Sequence, residues 1–198
     1  MSMKEFEDYK KYKWFYTSSD KLVIGGKNAV QNDSFLQKIK SLKKDFIVLH
    51  TEAPGSPFSI IISDINKIDK NDVEESAVFT ACFSQAWKKG SKKVYVHFFN
   101  SNQIYKTKGM KSGTWGVIGN VKKISVELSL VLIKQQGILR AVPEKSVKNK
   151  KNIFGIIYPG KIPKEELAPK ILNELNGLFT QYEIMSAIPS GGLRFCKK

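Results

Sequence analysis

The chain has 198 residues, of which 41% are hydrophobic and 26% are charged. These proportions are ordinary for a single globular domain, and the lack of any apolar run of about eighteen residues excludes a membrane-spanning helix. The lysine-rich start is not followed by the apolar stretch of a secretory signal. We therefore expect a cytoplasmic protein whose two cysteines, Cys82 and Cys196, remain reduced.

The positive charge lies mainly in the middle of the chain. The formal net charge is +15, and residues 76–126 contain nine lysines and no carboxylate. Solvated surfaces usually mix both signs, so this stretch predicts a polyanionic partner, of which nucleic acid is the commonest. An AT-rich genome would explain why 31 lysines accompany only two arginines, but it would not explain the missing carboxylates. Because lysine meets phosphate as a point charge, contacts to the nucleic-acid backbone are favoured over base reading.

Periodicity predicts a mixture of strands and helices after a lead-in segment, mobile or helical, at residues 1–11. The predicted strands span residues 13–17, 22–25, 46–50, 58–62, 94–100, 113–119, 125–133 and 152–158. The predicted helices span residues 28–44, 71–87 and 163–176, and residues 144–152 form a basic loop. This order predicts a mixed α+β single domain with one central sheet, mixed or mainly antiparallel, and about three helices.

Two predicted helices begin at recognisable caps. Gly25 and Gly26 are expected to supply positive φ where a strand turns into the first helix, with Asn28 as its N-cap. The second helix is expected to open with a capping box formed by Asn71 and Glu74. The sequence GGK at 25–27 fails the P-loop spacing, but a lysine beside a helix N-terminus can hold one phosphate oxygen.

Motifs for catalysis are absent from the sequence. His50 and His97 lie in apolar strands, where a hydrogen-bonded structural histidine is the usual situation. The cysteines lack partners at metal-ligand spacing, and no paired-carboxylate or nucleophile motif occurs. We therefore expect neither an enzyme, nor a bound metal, nor a cofactor.

Basic and aromatic residues alternate in the segment 87–111, WKKGSKKVYVHFFNSNQIYKTKGMK. Such a segment can neutralise phosphates and stack on unpaired bases. About half of the aromatic residues of strand 94–100 must face the core, so Tyr105 and the lysines of 106–111 are the better surface candidates.

Four blocks occur together in an order that resembles one family. They are WFYTSSDKLVIGGKNAVQN at 14–32, VLHTEAPGSPF at 48–58, ACFSQAWK at 81–88 and QIYKT at 103–107. They resemble NFACT-R, the RNA-binding domain of NFACT proteins, which act with the large ribosomal subunit on stalled nascent chains. The resemblance covers residues 12–160 and implies an RNA-binding domain at 12–180 followed by a C-terminal extension at 181–198. A family arginine is missing from GTWGVIG at 113–119, and the family's Val-Ser is Ile104-Tyr105 here, so base-specific contacts are not expected there.

The resemblance and the charge pattern together imply a lysine-rich RNA-binding face. Family motif positions also include Asp20 and Trp87. The expected RNA-binding residues are Ser18, Ser19, Lys21, Gly25, Gly26, Lys27, Gln31, Asn32, His50, Gly55, Ser56, Lys88, Lys89, Lys92, Lys93, Gln103, Tyr105, Lys106, Lys108 and Lys111. The expected partner is tRNA or rRNA, with the large ribosomal subunit as a further candidate, and DNA is left open. An accessory subunit of a tRNA-modifying or nucleic-acid-processing enzyme, and a protein-interaction module that docks on the ribosome, are the alternatives.

Overall fold

The structure is a computed structural model that describes residues 3–198. It confirms the mixed α+β class and shows antiparallel pairing throughout. The strands are β1 (Lys13–Tyr16), β2 (Leu22–Gly25), β3 (Ile47–Thr51), β4 (Ser59–Ile62), β5 (Lys93–Asn100), β6 (Ile104–Tyr105), β7 (Gly116–Val117), β8 (Lys122–Glu127), β9 (Leu130–Gln135), β10 (Ile138–Val142), β11 (Gly155–Pro163) and β12 (Gly192–Lys197). The α-helices are α1 (Ala29–Ser41), α2 (Lys70–Cys82), α3 (Gln85–Lys88), α4 (Lys164–Glu174) and α5 (Gln181–Ala187). Short 3-10 helices cover Met3–Lys11, Ile65–Lys67, Ser101–Gln103, Glu144–Ser146 and Lys150–Asn152.

Two main sheets replace the single central sheet that the sequence predicted. A six-stranded sheet has the order β1-β2-β4-β3-β5-β8, and a four-stranded sheet has the order β10-β9-β11-β12. Strands β6 and β7 form a separate two-stranded ribbon. The chain passes between the main sheets at Leu128 and Ser129, so the strand predicted at 125–133 is really two strands in different sheets.

The six-stranded sheet is covered on both faces by separate hydrophobic clusters. Adjacent strand residues alternate between them: Trp14 belongs to the smaller cluster with α1, whereas Phe15 belongs to the larger cluster with α2 and the four-stranded sheet. The same alternation separates Ile60 from Ile61 in β4. This period of two is what a strand buried on both faces requires. Helix α1 therefore lies on the opposite face of the sheet from α2.

Two side chains of the four-stranded region complete the free edge of β1. The side-chain amide of Gln135 accepts a hydrogen bond from the Tyr16 N–H (2.8 Å) and donates one to the Tyr16 carbonyl (2.9 Å). Arg140, 8% exposed, donates to the Trp14 carbonyl from Nε (3.1 Å) and Nη2 (2.9 Å). Burial lowers the pKa of Arg140 to about 10. Side chains thus replace the missing strand partner along an edge that would otherwise be unsatisfied.

The second predicted helix differs from the structure at both ends. Its N-cap is Asp69, which forms a capping box with Asp72, and not the predicted pair Asn71 and Glu74. The two aspartates have the same three-residue spacing and bond each other's backbone N–H groups (2.9 and 3.1 Å). The helix ends at Cys82, and Ser84 caps the separate short helix α3.

The last 18 residues belong to the packed structure of the second sheet. Helix α5 and strand β12 cover most of 181–198, and β12 pairs with β11. Ile184 and Leu193 are fully buried in the larger cluster. The division of the chain at residues 11 and 180 stays a prediction.

Three findings concern the cysteines, possible metal sites and possible membrane spans. Cys82 is a buried free thiol whose pKa burial raises, and Cys196 is an exposed free thiol. Within residues 3–198 no three His, Cys, Asp or Glu side chains come together as a metal site. No helix in that range is both long and apolar enough to cross a membrane.

Candidate nucleic-acid interface

A cleft of about 620 Å³ lies between the start of α1, the loop from β3 to β4, the start of α3 and the segment 112–117. This volume falls within the roughly 300–1,000 Å³ of typical ligand sites. The cleft brings together several of the residues that the sequence predicted as RNA contacts. They are Gly26, Lys27, Asn32, His50, Gly55, Ser56 and Lys88.

The corner between β2 and α1 forms one side of this cleft. Asn28 is the N-cap, as predicted, and its side chain accepts from the Gln31 N–H (2.9 Å). The prediction of positive φ was wrong, since neither Gly25 nor Gly26 adopts it. Gly26 is required for another reason: a Cβ there would lie 2.2 Å from Oδ1 of Asn32. The glycine thus makes room for the asparagine.

Helix α1 leaves Lys27 exposed beside this corner. The Lys27 N–H donates to Oε1 of Gln31 (3.0 Å), so Gln31 closes the turn that presents the lysine. Asn32 is buried, and its Oδ1 accepts from the Phe58 N–H (3.3 Å). Of these three residues, only the lysine has a charge to offer a ligand. Gln31 and Asn32 serve the geometry of the corner.

The loop from β3 to β4 forms the second side. The Thr51 N–H donates to Oγ of Ser56 (3.0 Å), and Gly55 has φ of 99° and accepts from the N–H of Gln85 (2.9 Å). Only glycine readily adopts such a φ, and a Cβ would also meet the Gln85 side chain at 2.5 Å. Gly55 and Ser56 are therefore explained by the shape of the loop.

Two histidines face each other across β3 and β5 in this cleft. His50 pairs in register with His97 and packs on Phe58 with ring centroids 4.4 Å apart. Burial lowers the pKa of His50, so its ring is neutral near pH 7. Nε2 of His97 lies 3.5 Å from Oε1 of Glu52. Both rings offer flat surfaces to the cleft.

Three lysines and one carboxylate contribute the formal charges of the cleft lining. The lysines are Lys13, Lys27 and Lys88, and the carboxylate is Glu52. Burial, together with the positive charge of Arg140, lowers the pKa of Lys13 to about 8. Its Nζ lies 4.3 Å from the centre of the Phe83 ring. Sequence reasoning missed this lysine as a site residue, because it lies at the start of an apolar strand.

Asp33 holds the segment 106–115 against the first turns of α1. Its carboxylate accepts from Nζ of Lys106 (2.6 Å) and Nε1 of Trp115 (2.8 Å). It also accepts from Oγ of Ser112 (3.0 Å) and the N–H of Gly113 (2.9 Å). Although burial opposes it, these hydrogen bonds lower the pKa of Asp33 to about 2. Lys106 is thus engaged in an internal ion pair.

Other predicted contacts near this segment also have structural partners. The Gln103 side chain donates to the carbonyls of Ile118 (2.8 Å) and Asn120 (2.9 Å). The ring of Tyr105 packs over Gly116, where a Cβ would come within 2.2 Å of it. Lys108 and Lys111 are exposed and do not line the cleft. They stay candidates for its outer margin.

The SSD motif lies away from the cleft and binds carboxylates of α2. Ser18 donates to Glu75 from its N–H (2.9 Å) and its Oγ (2.6 Å), and Ser19 donates to Asp72 from its Oγ. Nζ of Lys21 lies 3.7 Å from Asp72. Asp20 adopts φ of 63°, as a turn residue, and pairs with Lys148 (2.6 Å). The structure does not bring Ser18, Ser19 or Lys21 together with the other predicted residues.

Lysines beyond α3 surround a second, smaller cavity. This cavity of about 230 Å³ is lined by Lys89 and Lys93 and shares Thr51, Glu52 and Gln85 with the cleft. Lys92 is exposed in the same segment. Trp87, by contrast, is 1% exposed and donates from Nε1 to the Gly192 carbonyl (3.2 Å), so it anchors α3 to β12. The predicted lysines therefore continue the basic surface outward from the cleft.

A family model for the NFACT protein RNA binding domain matches residues 11–119. The match covers more than half of the chain, so the chain belongs to this family.

Two known proteins are similar to it. The archaeal Rqc2 homolog aRqcH of Methanocaldococcus jannaschii is 28% identical over 209 residues, covering 98% of this chain and 30% of the archaeal protein. The chain thus spans less than a third of that relative. The structure of the C-terminal of the fibronectin/fibrinogen-binding protein from Streptococcus suis has a TM-score of 0.52 at 22% identity, over 59% of this chain and 45% of the other. That likeness concerns the fold alone.

Proposed function

We propose that this chain binds RNA through the cleft and the lysines around it, and that it does so in ribosome-associated quality control of translation. Its membership of the NFACT RNA-binding domain family supports the first part. Its similarity to an archaeal Rqc2 homolog supports the second, although that protein is more than three times as long.

The observation that carries the proposal is the imbalance of charge in the cleft. Lys13, Lys27 and Lys88 form no salt bridge with a carboxylate of the described chain. The one carboxylate among the lining residues, Glu52, lies between His97 (3.5 Å) and Lys123 (3.8 Å). Cations gathered in a concave site without anionic partners attract a polyanion and release its counterions.

The continuity with the smaller cavity extends this surface along a strand of nucleic acid. Lys89 and Lys93 lie on the far side of Gln85, which lines both cavities. Tyr95, 50% exposed, lies in the same second cavity with Nζ of Lys123 4.8 Å from its ring centre. Lysines beside an exposed ring can contact both the phosphates and the bases of a nucleic acid.

A salt titration tests the electrostatic part of the proposal. Affinity for a labelled RNA is measured by fluorescence anisotropy at salt concentrations from about 50 to 300 mM. If about six phosphates are neutralised, log K against log salt falls with a slope of roughly −4 to −5. A flat dependence contradicts the proposal. DNA of the same sequence, measured in parallel, decides whether the site distinguishes the sugar.

A pair of double variants locates the binding surface. Lys27→Gln/Lys88→Gln removes two cleft lysines, and Lys161→Gln/Lys170→Gln removes two exposed lysines of the four-stranded half. The first variant should reduce the salt slope by about one for each lysine lost, whereas the control should keep the original slope. Equal effects of both variants would mean that net charge alone drives binding.

Crosslinking in cells identifies the RNA. The proposal expects rRNA of the large subunit or tRNA among the sequences attached to this chain. Ribosome co-sedimentation that survives nuclease and high salt would instead favour docking through protein contacts. Co-purification with a tRNA-modifying enzyme whose activity needs this chain would favour the role of an accessory subunit.

A further inference from the structure

We propose that the cleft receives one unpaired nucleotide of the bound RNA, with its phosphate at the lysines and its base against the aromatic rings. This inference rests on the proposed function and adds the structural state of the ligand. A basic surface alone would bind a duplex and a single strand alike. The aromatic rings, the position of Lys13 and the size of the cleft favour a single strand over a duplex.

The cleft has flat rings that the fold leaves only partly covered. Phe83, His97 and Trp115 are all intermediate in exposure and all line it. They come from different elements: the end of α2, strand β5 and the segment held by Asp33. In a hydrophobic core such rings would be buried, whereas each of these keeps an exposed part at the cleft, against which a base can pack.

The position of Lys13 places a cation directly beside one of these rings. Its ammonium lies 4.3 Å from the centre of Phe83, and the side chain lines the cleft. The described residues provide no carboxylate partner for it, and Arg140, Lys164 and Lys27 add positive charge nearby. A phosphate bound there would compensate this charge while its own base reached a ring. A cation can bind the phosphate of a nucleotide, and an adjacent aromatic ring can contact its base.

The size of the cleft suits one nucleotide better than a duplex. A volume of about 620 Å³ belongs to the range that holds small ligands. The rings line the walls of the cleft, so an unpaired base can reach them more readily than a base that remains paired and stacked in a helix. Recognition would therefore select a loop, a bulge or an end, which is where proteins read RNA most often.

Tryptophan fluorescence supplies a direct test, because the three tryptophans have different environments. Trp14 and Trp87 are each 1% exposed, and Trp115 lines the cleft. The full chain is titrated with a single-stranded octanucleotide, with a blunt hairpin of the same charge whose loop is a linker without bases, with adenosine 5′-monophosphate and with inorganic phosphate. We expect the octanucleotide to quench emission and to bind at least about tenfold more tightly than the hairpin. The mononucleotide should compete for the cleft at lower concentrations than phosphate does.

Two variants separate the ring from the charge. Phe83→Leu should weaken single-strand binding about 5- to 100-fold and leave hairpin binding nearly unchanged. Lys13→Gln should weaken competition by the mononucleotide, while Lys170→Gln, which alters an exposed lysine outside the cleft, should not. Thermal unfolding of each variant establishes whether it is folded. If Phe83→Leu does not fold, the competition measured with Lys13→Gln tests the inference.

The outcomes also separate this inference from the proposed function. Equal affinity for hairpin and single strand without quenching overturns the inference and leaves RNA binding intact. No affinity for either RNA overturns both. Binding of the mononucleotide without binding of any RNA also overturns the inference, because the occupant is then a free nucleotide.

Discussion

Replacement of Asp33 by alanine should loosen one side of the cleft without removing a cation from it. The carboxylate accepts four hydrogen bonds from Lys106, Ser112, Gly113 and Trp115. In the variant the segment 106–115 loses its attachment to α1, and a partly buried lysine loses its counterion. RNA affinity should fall because the cleft changes shape, but the salt slope should stay the same because Lys13, Lys27 and Lys88 remain.

The lowered pKa of Asp33 gives the size of the stability loss that we expect in Asp33→Ala. A fall from 3.8 to about 2 corresponds to about 2.4 kcal/mol of stability at neutral pH. The side chains of Asp33 and Lys106 keep exposures of 18% and 21%, so solvent screening reduces the expected loss to about 1–2 kcal/mol.

The pH dependence gives a second, independent readout of the same prediction. The folded-state pKa of Asp33 is lowered, so its contribution is fully present above about pH 4 and is lost as the pH falls through about 2. Urea unfolding of both proteins at pH 7 and between pH 4 and pH 2 measures the difference. The stabilities should converge at low pH. A loss at pH 7 below about 0.5 kcal/mol, or a difference that does not shrink on acidification, would refute the reasoning.

Three further substitutions test separate contacts, each by urea unfolding with RNA affinity measured in parallel. Arg140→Leu should cost about 2–3 kcal/mol, because the edge carbonyl that Arg140 bonds twice is left buried and unsatisfied; a loss below about 1 kcal/mol would contradict that role. Gly26→Ala should cost about 1–3 kcal/mol, since its Cβ would lie 2.2 Å from Asn32, and it should also lower RNA affinity. Ser18→Ala should cost about 1–3 kcal/mol by removing a donor from the buried Glu75. Its RNA affinity should stay unchanged, whereas a loss of affinity would restore the sequence-based prediction that Ser18 contacts RNA.

The sequence predicted local structure correctly at several positions where one short stretch contains the cause, although not at the capping box of α2 or at the conformation of Gly25 and Gly26. Asn28 is the cap of α1 because its side chain reaches a backbone N–H only three residues away. The last predicted helix ends before Gly177, as expected, and the left-handed stretch that follows its C-cap, Leu175, consists of Asn176 with φ of 52° and Gly177 with φ of 68°. The two-sheet arrangement was missed at 125–133, yet a signal exists there. Burial alternates along β8 and becomes continuous over Leu130–Ile133, as expected where a half-exposed strand passes into a core.

Long-range partners explain why the structure brings only some of the predicted site residues together in the cleft. The absence of carboxylates from residues 76–126 predicted a polyanionic partner for this stretch of lysines. Lys106 is nevertheless paired with Asp33, which lies 73 residues earlier in the chain. The SSD serines likewise meet Glu75 and Asp72, more than fifty residues away. Charge counted in a window cannot reveal such pairs. Lys27 and Lys88 have no carboxylate partner among the described residues, and their role in RNA binding stays a prediction.

Three consecutive residues of α1, namely Gln31, Asn32 and Asp33, connect this helix to different parts of the cleft. Gln31 closes the turn at Lys27, Asn32 bonds the N–H of Phe58 after the β3–β4 loop, and Asp33 holds the segment 106–115. Each of the three side chains fixes a different side of the same concave surface. These hydrogen bonds give all three residues a structural role in shaping the cleft, and contact of Gln31 or Asn32 with RNA stays a prediction. Substitutions at Asn32 or Asp33 should change the shape of the cleft and its preference for unpaired RNA, and substitutions at the lysines should change the dependence on salt.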